Sequence, residues 1–291
     1  MPGVRAYGMT APGIYPDVSH DDYHAHPALS STGARRLTDP SCPALFRYAA
    51  DHPERPAVEV LELGQAFHTL VFGVGPAVVE IPADVLAKNG AVSTTAAKAY
   101  CDGVRAEGGI PLKAEKVALL EAMAAVVRAD PIFAAATAAG APEVSAFWTD
   151  LYGVECRARF DWLPTRVKGR RLIVPDLKSA RSAHPRTFAR TAATEHGYAQ
   201  QADWYLRGLR ALGLADDRAA FVFFPQEKTP PFLVQPVQLD AEAMRVGEIL
   251  NDRAIETYAR CMESGRWPGY HDGVALAQLP GWYTQPVLES V

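Results

Sequence analysis

The fold is decided by the stretch RFDWLPTRVKGRRLIVPDLKSA, residues 159–180, which carries two acidic residues on neighbouring predicted strands. Asp161 stands near the end of one strand, and Asp176 follows fifteen residues later in the next, after the apolar run LIV. Lys178 comes two residues after Asp176, so both side chains point to the same face of their strand. The run LIV indicates a central strand, so its polar end is predicted to be buried.

This arrangement predicts a site for a divalent cation. Neighbouring carboxylates repel each other unless a cation neutralises them, and hard oxygen ligands select Mg²⁺ or Mn²⁺. A lysine beside the metal orients or deprotonates water, or neutralises charge on a phosphate. Asp161, Asp176 and Lys178 are therefore candidate catalytic residues for metal-assisted phosphodiester hydrolysis. Taken alone, the same residues also fit a solvated strand end, because the pattern D-x-K is common by chance.

Two helical patterns supply further candidates. His68 follows Gly64 by four residues in the apolar segment 58–73, so the two share one face of a predicted buried helix. His68 is a candidate site residue, with an ordinary core or surface histidine as the alternative, and Gly64 would permit close approach of another backbone or of DNA. Gln201 and Tyr205 have the same i, i+4 spacing. Gln201 is a candidate for binding a phosphate or orienting the lysine, and Tyr205 for stacking on a base or contacting the DNA backbone. A surface glutamine and a core tyrosine are the alternative.

The order of predicted elements indicates an α/β core with an N-terminal helical elaboration. Ser30, Ser31 and Thr32 precede the segment ARRLTDP as candidate caps of a first predicted helix, and a second begins at Pro43. Further helices are predicted over residues 58–73, 95–106, 113–130, 185–213 and 241–264. The predicted strands are VVEIP at 78–82, two antiparallel strands within 143–164, one leading to Asp176, and those at 219–226 and 232–240. We expect a single domain, 1–291, divided into an arm with short helices (1–57), a helical part (58–140), the catalytic α/β core (141–265) and a loop tail (266–291).

Composition is that of an ordinary soluble globular protein, with 48% hydrophobic and 21% charged residues. No apolar run approaches the roughly 18 residues that span a membrane, and the N-terminus lacks the features of a secretory signal, so we expect a cytoplasmic protein without membrane contact. The four cysteines form no CxxC pair and are expected to be free thiols. A net charge of −4 argues against nonspecific coating of nucleic acid but permits a local basic groove.

Taken in order, four motifs resemble those of RecB-like nucleases of the PD-(D/E)xK superfamily. They are GQAFH at 64–68, RFD at 159–161, DLK at 176–178 and QADWY at 201–205. The N-terminal segment GIYPDVSHDDYHAHPALSSTGARRL and the segment GRWPGY near the C-terminus are similar to the nuclease domain of RecE, the phage-derived exonuclease VIII. The resemblance covers nearly the whole chain, which would be such a nuclease domain standing alone. Each motif is weak by itself, and their order is what makes the signal specific.

The resemblance implies a PD-(D/E)xK nuclease core, with a central mixed β-sheet flanked by helices. It implies Mg²⁺-dependent, processive 5′→3′ digestion of linear double-stranded DNA, with Mn²⁺ as a substitute metal. The 3′ overhang so produced would pass to a single-strand annealing protein. The resemblance also implies a ring-shaped homo-oligomer, a tetramer, around the DNA.

Carried over residue by residue, the resemblance assigns metal ligation to Asp161, Asp176 and the backbone carbonyl of Leu177. His68 would bind or support a second metal, and Lys178 would act on the attacking water.

Other positions are assigned to the substrate. Gln201 and Tyr205 would position the DNA, and Arg35 and Arg36 are candidates for holding its 5′ end or phosphate, with solvated surface arginines as the alternative. Glu143 matches a carboxylate of the RecE branch, and its alternative is a surface residue at the start of a strand.

Two other functions remain open from the sequence. One is a PD-(D/E)xK endonuclease or a nuclease that works with a helicase. The other is a DNA-binding protein that has lost catalysis, against which the four complete motifs argue.

Overall fold

The computed structural model describes residues 11–38, 40–53 and 58–290, and within them strands and helices alternate as expected of an α/β protein. The strands are β1 Gly13–Tyr15, β2 Leu29–Ser30, β3 Val78–Glu80, β4 Ile110–Leu112, β5 Gly140–Thr149, β6 Glu155–Pro164, β7 Ile173–Ala180, β8 Ala220–Glu227 and β9 Val237–Gln238. The helices are α1 His20–Ala25, α2 Ser31–Arg35, α3 Pro43–Asp51, α4 Val58–Phe72, α5 Thr95–Ala106, α6 Ala114–Ala129, α7 Pro131–Thr137, α8 Pro185–Thr191, α9 Tyr198–Ala211, α10 Ala241–Ser264 and α11 Gly281–Leu288.

The predicted mixed sheet flanked by helices is confirmed, and it is divided into hydrogen-bonded parts. One part has the order β1-β5-β6-β2, with an antiparallel β5–β6 hairpin and a parallel β2–β6 pair. Another has the order β7-β8-β9, in which β7 and β8 are parallel. The short strands β3 and β4 form a separate parallel pair. In the described part of the chain, β6 and β7 lie side by side without ladder pairing, and the candidate acids lie on these two strands.

The strongly apolar strand β8 explains how the helices cover both faces of the sheet. Phe221 and Phe223 belong to one core cluster, which they share with Trp204 of α9 and Ile255 of α10. Phe224 alternates with them and belongs to the other cluster, with residues of α4, α6 and α7. Since successive strand residues point to opposite faces, a strand buried on both faces must be apolar at nearly every position.

Helices α9 and α10 cross closely, and this crossing supports the start of α9. A Cβ atom at Gly247 of α10 would overlap the backbone carbonyl of Ala199, so only glycine permits this approach. Asn251, one turn later, donates hydrogen bonds to the carbonyl oxygen of Gln200 at 2.9 Å and to Asp203 Oδ2 at 2.8 Å. The first turns of α9 are thereby held in place, and they carry Gln201.

Most predicted elements are confirmed, including α4 to α6, α10 and the β5–β6 hairpin. Of the three candidate caps, Ser30 caps α2, and its Oγ accepts the backbone N–H of Gly33 at 3.1 Å. The helix therefore begins at Ser31, three residues before the predicted segment ARRLTDP. The residues with no periodic pattern were harder to assign. The predicted structureless arm contains β1 and α1, the predicted loop tail contains α11, and β4 and α7 were not predicted.

Two predicted elements are too long. The single helix expected over 185–213 is interrupted by a π-helix, Ala192–His196, and by Gly197 in the left-handed conformation at φ 57°. The strand expected over 232–240 is only β9, because the preceding residues follow a turn and make just one isolated bridge to β8. Local apolar pattern extends through both breaks, so it gives no sign of them.

Two observations bear on the expectations from composition. The four cysteines are free and buried, as predicted. Among the residues that the structure describes, no helix has the combination of length and apolar character that a membrane crossing requires.

Because a Cβ at Gly247 meets backbone rather than a movable side chain, we expect Gly247→Ala to lower the free energy of unfolding by about 1–3 kcal/mol. The matched control is Gly103→Ala in α5, where a Cβ meets no atom within 4 Å. That change should stabilise the protein slightly, because alanine is the better helix former. Urea unfolding followed by circular dichroism measures both, and equal effects of the two substitutions would contradict the close crossing.

Candidate metal and active site

Asp161 bridges the two parts of the sheet. Its Oδ2 accepts the backbone N–H of Leu177 on β7 at 3.1 Å, so a side chain replaces a ladder hydrogen bond at this point. The same oxygen lies 3.9 Å from His68 Nε2, which reaches it from α4. Asp161 therefore lies where β6, β7 and α4 meet, as the alternating pattern and the helical histidine predicted.

Asp176 and Lys178 face the same side of β7, as predicted, and form a buried ion pair. Lys178 Nζ lies 2.7 Å from Asp176 Oδ2, and Gln201 Nε2 donates to the other oxygen, Oδ1, at 2.9 Å. Burial, and to a lesser extent the nearby Asp161, raise the pKa of Asp176, while Lys178 lowers it. The net result is a pKa of about 6. Burial lowers the pKa of Lys178, but the two carboxylates outweigh it and hold that pKa above its ordinary value. The ammonium is thus kept charged beside the acids.

His68 belongs to a second chain of contacts that includes Glu143. His68 Nδ1 lies 3.4 Å from Glu143 Oε1, and Arg159 Nε donates to Glu143 Oε2 at 2.8 Å. Burial lowers the pKa of His68, yet Asp161 and Glu143 outweigh it and raise that pKa to about 9. Glu143 has a φ of 54°, in the left-handed region that residues other than glycine uncommonly adopt.

The side chains present fit a divalent cation. Among the described residues, His68, Glu143 and Asp161 each offer a ligand atom, and these atoms lie within 4.8 Å of one another. The carboxylate oxygens suit Mg²⁺ or Mn²⁺, whereas the imidazole is a ligand more usual for zinc and iron. Asp176 is not a member of this compact group, since its oxygens contact Lys178 and Gln201 instead. Asp176 Oδ2 is buried. In the described part of the chain it contacts the Lys178 ammonium, but no other group donates a hydrogen bond to it.

Gln201 and Tyr205, the predicted substrate-positioning pair, lie on α9 beside the acids. The amide of Gln201 orients Asp176, a partner that the sequence did not suggest. The ring of Tyr205 lies 5.0 Å from that of Phe160 and 5.3 Å from that of Phe221, within the core. This packing favours the core tyrosine over a base-stacking ring, and its contact with the DNA backbone stays a prediction. The predicted role of the Leu177 carbonyl also stays a prediction.

The two candidate arginines differ in position: Arg35 lies close to the site, near Tyr198 and Tyr205, whereas Arg36 points to solvent. Arg35 is half-buried and packs on Gly197, whereas Arg36 is exposed. Arg35 Nε and Ser31 Oγ, one turn apart on α2, are buried and have no hydrogen-bond partner among the described residues. A half-buried guanidinium is able to bind an anion through charge-assisted hydrogen bonds.

Tyr198 and Gly64 are two positions at which the structure differs from what the sequence suggested. Lys178 Nζ lies 5.5 Å from the centre of the Tyr198 ring, which therefore contacts the lysine from the start of α9. Sequence reasoning missed Tyr198, and only its position directly after Gly197 hints at it. The close approach of another backbone expected at Gly64 is not observed, since a Cβ there meets no atom within 4 Å. The space above Gly64 is open.

Comparisons with known proteins agree with the fold. A solved structure described as "Putative exonuclease" from Eubacterium rectale superposes with a TM-score of 0.59 at 12% sequence identity, covering 95% of this chain and 98% of the other. At that identity the likeness concerns the fold alone. No curated protein matches the chain. The family model described as PDDEXK-like domain of unknown function (DUF3799) matches residues 44–280, which is most of the chain and includes the acids, Lys178 and His68. The chain therefore belongs to this PDDEXK-like family.

Proposed function

We propose that this protein is an exonuclease that digests linear double-stranded DNA in the 5′→3′ direction, with Mg²⁺ as its metal and Mn²⁺ as a substitute. The observation that carries the proposal is the convergence of Asp161, Asp176 and Lys178 with His68 in a PDDEXK-like fold. The resemblance to RecE adds direction, a 3′ overhang for a single-strand annealing protein and a ring-shaped tetramer to the same proposal.

The chemistry needs a metal and a set of residues that hold the reacting groups. A bound divalent cation would polarise the phosphodiester and lower the pKa of water. His68 and Asp161 would hold it, with Asp176 and the carbonyl of Leu177 as further predicted ligands. Lys178, kept charged by the acids, would neutralise the phosphate or orient the water.

Two further residues would act by holding these groups in position. Gln201 fixes one oxygen of Asp176, which leaves Oδ2 beside Lys178. Glu143 contacts Nδ1 of His68, which leaves Nε2 directed to Asp161. A carboxylate behind a histidine ligand fixes its tautomer and strengthens metal binding.

The 5′ end of the DNA would bind at Arg35. Its half-buried guanidinium would receive the terminal phosphate, close to Tyr198 and Lys178. Arg36, exposed directly after α2, would hold the same phosphate or the 5′ end.

The first prediction concerns catalysis. Asp176→Asn and Lys178→Met should each slow the digestion of linear duplex DNA in Mg²⁺ by about 100-fold or more, since each removes a group that acts on the phosphate or the water. Glu263→Gln, on the exposed end of α10, is the control and should have no effect. Release of a 5′-terminal label measures rate and direction together.

The same assay distinguishes the alternatives. An exonuclease leaves covalently closed circular DNA intact, whereas an endonuclease nicks it. If the folded wild-type protein degrades neither form, the proposal is wrong and a DNA-binding protein without catalysis takes its place.

The second prediction concerns Glu143. Glu143→Gln should weaken Mn²⁺ binding by about 10- to 100-fold, because His68 loses its charged partner, while the rate at saturating metal falls much less. Glu62→Gln is the matched control, because Glu62 forms a similar ion pair with Arg105 at 2.6 Å outside the site. Calorimetry with Mn²⁺ measures affinity without DNA. Equal effects of both substitutions would contradict a role at the metal.

The third prediction is a pH dependence. With a pKa of about 9, His68 carries a proton at pH 7 that metal binding must displace, and Asp176, with a pKa of about 6, takes one up below that pH. The Mg²⁺ concentration for half-maximal rate should therefore rise about tenfold per pH unit as pH falls from about 9 to 6, and more steeply below. His68→Gln should abolish the first slope. A rate independent of pH and metal from about pH 5 to 9 would contradict this.

A further inference from the structure

The loop that joins β6 to β7, residues 165–172, carries an unusual density of positive charge. Its four basic residues are exposed, and Arg218 lies beside them; we call this set the basic loop surface, made of Arg166, Lys168, Arg170, Arg171 and Arg218. These residues, apart from Arg171, line an open cavity of about 390 Å³. The chain as a whole has a net charge of −4, so this concentration of cations is local.

Most of this charge is uncompensated. Asp216 contacts Arg166 at 3.7 Å and Arg218 at 3.1 Å, and it is the acid that lines the cavity. Lys168 and Arg170 have no ion-pair partner within the described residues. Four cations and one carboxylate line the cavity, which leaves a surface that attracts anions.

The loop is fixed to the body of the protein. Arg171 Nε donates to the carbonyl oxygen of Arg218 at 2.6 Å, and Arg166 Nη1 donates to that of Gly213 at 3.3 Å. Both acceptors belong to the connection between α9 and β8. The cations are therefore presented from a supported loop, so a ligand would not have to order it first.

The position of the loop relates it to the candidate active site. Asp161 lies five residues before Arg166, and Asp176 lies five residues after Arg171. Lys168 follows Asp161 by seven residues, and Arg170 precedes Asp176 by six. At about 3.3 Å per strand residue, these two cations lie at most roughly 23 Å and 20 Å from those acids. Duplex DNA advances about 3.4 Å per base pair, so this reach corresponds to at most about seven base pairs.

We propose that the basic loop surface binds the sugar–phosphate backbone of duplex DNA within about seven base pairs of the cleaved phosphate. This rests on the proposed nuclease function and adds a substrate contact to it. A protein partner is disfavoured, because stable protein interfaces need an apolar centre and, of the described residues, Val167 is the only apolar side chain lining the cavity.

The test compares DNA binding by wild type and by Lys168→Gln/Arg170→Gln, with a 24-base-pair labelled duplex in EDTA so that no cleavage occurs. At about 100 mM salt the double variant should bind about tenfold more weakly. The slope of log affinity against log salt should fall by about two, because two phosphates are no longer neutralised by the protein. Lys168→Arg/Arg170→Lys retains both charges and should bind like wild type.

The control is Arg253→Gln/Arg260→Gln, which removes two exposed cations from α10 and should leave affinity and slope unchanged. In digestion assays with Mg²⁺, the loop variant Lys168→Gln/Arg170→Gln should show a KM raised about tenfold with kcat unchanged. Equal affinity and slope for wild type and the loop variant would overturn the loop proposal. Absence of digestion by wild type would overturn the proposed nuclease instead, because binding in EDTA does not depend on catalysis.

Discussion

The hydrogen bond from the Leu177 backbone to Asp161 Oδ2 is the contact on which the candidate site depends. Where β6 and β7 meet, ladder pairing is absent among the described residues, and an unpaired N–H buried there would cost about 1–3 kcal/mol. Asp161 satisfies that donor, and its own carboxylate is held at the junction of the two parts of the sheet. One contact thus closes the sheet and fixes an acid directly beside the strand that carries Asp176.

Buried charge is tolerated at this junction because each charge has a partner. Asp176 contacts Lys178 and Gln201, while His68 contacts Glu143, which in turn contacts Arg159. Removing one member of a buried pair leaves the other uncompensated at a cost of about 3–5 kcal/mol. The site is therefore also part of the folded structure's stability, so circular dichroism must show that Asp176→Asn and Lys178→Met are folded before their rates are compared.

The sequence predicted the elements that carry strong periodicity, and with them the acids, Lys178 and His68. Alternation in strands and the i, i+4 rule in helices are local properties, so residues 173–178 and 58–72 could be assigned from pattern. The contacts of Glu143 and Arg159 could not, because they depend on the register of β5 against β6 and on how α4 packs over both. The break at Gly197, which brings Tyr198 to Lys178, is likewise set by tertiary packing and not by the local pattern.

The N-terminal segment gains a physical role from these contacts. Arg159 Nη1 donates to the carbonyl oxygen of Val18 at 2.8 Å, and its guanidinium lies 5.8 Å from the centre of the Tyr23 ring. Arg159 also holds Glu143, which contacts His68. Residues before and within α1 therefore support the histidine through two intermediates. A change in how this segment packs would alter the position of Arg159 first and that of His68 last. The N-terminal segment, although remote in sequence, is thus connected by contacts to the candidate site on β6 and β7.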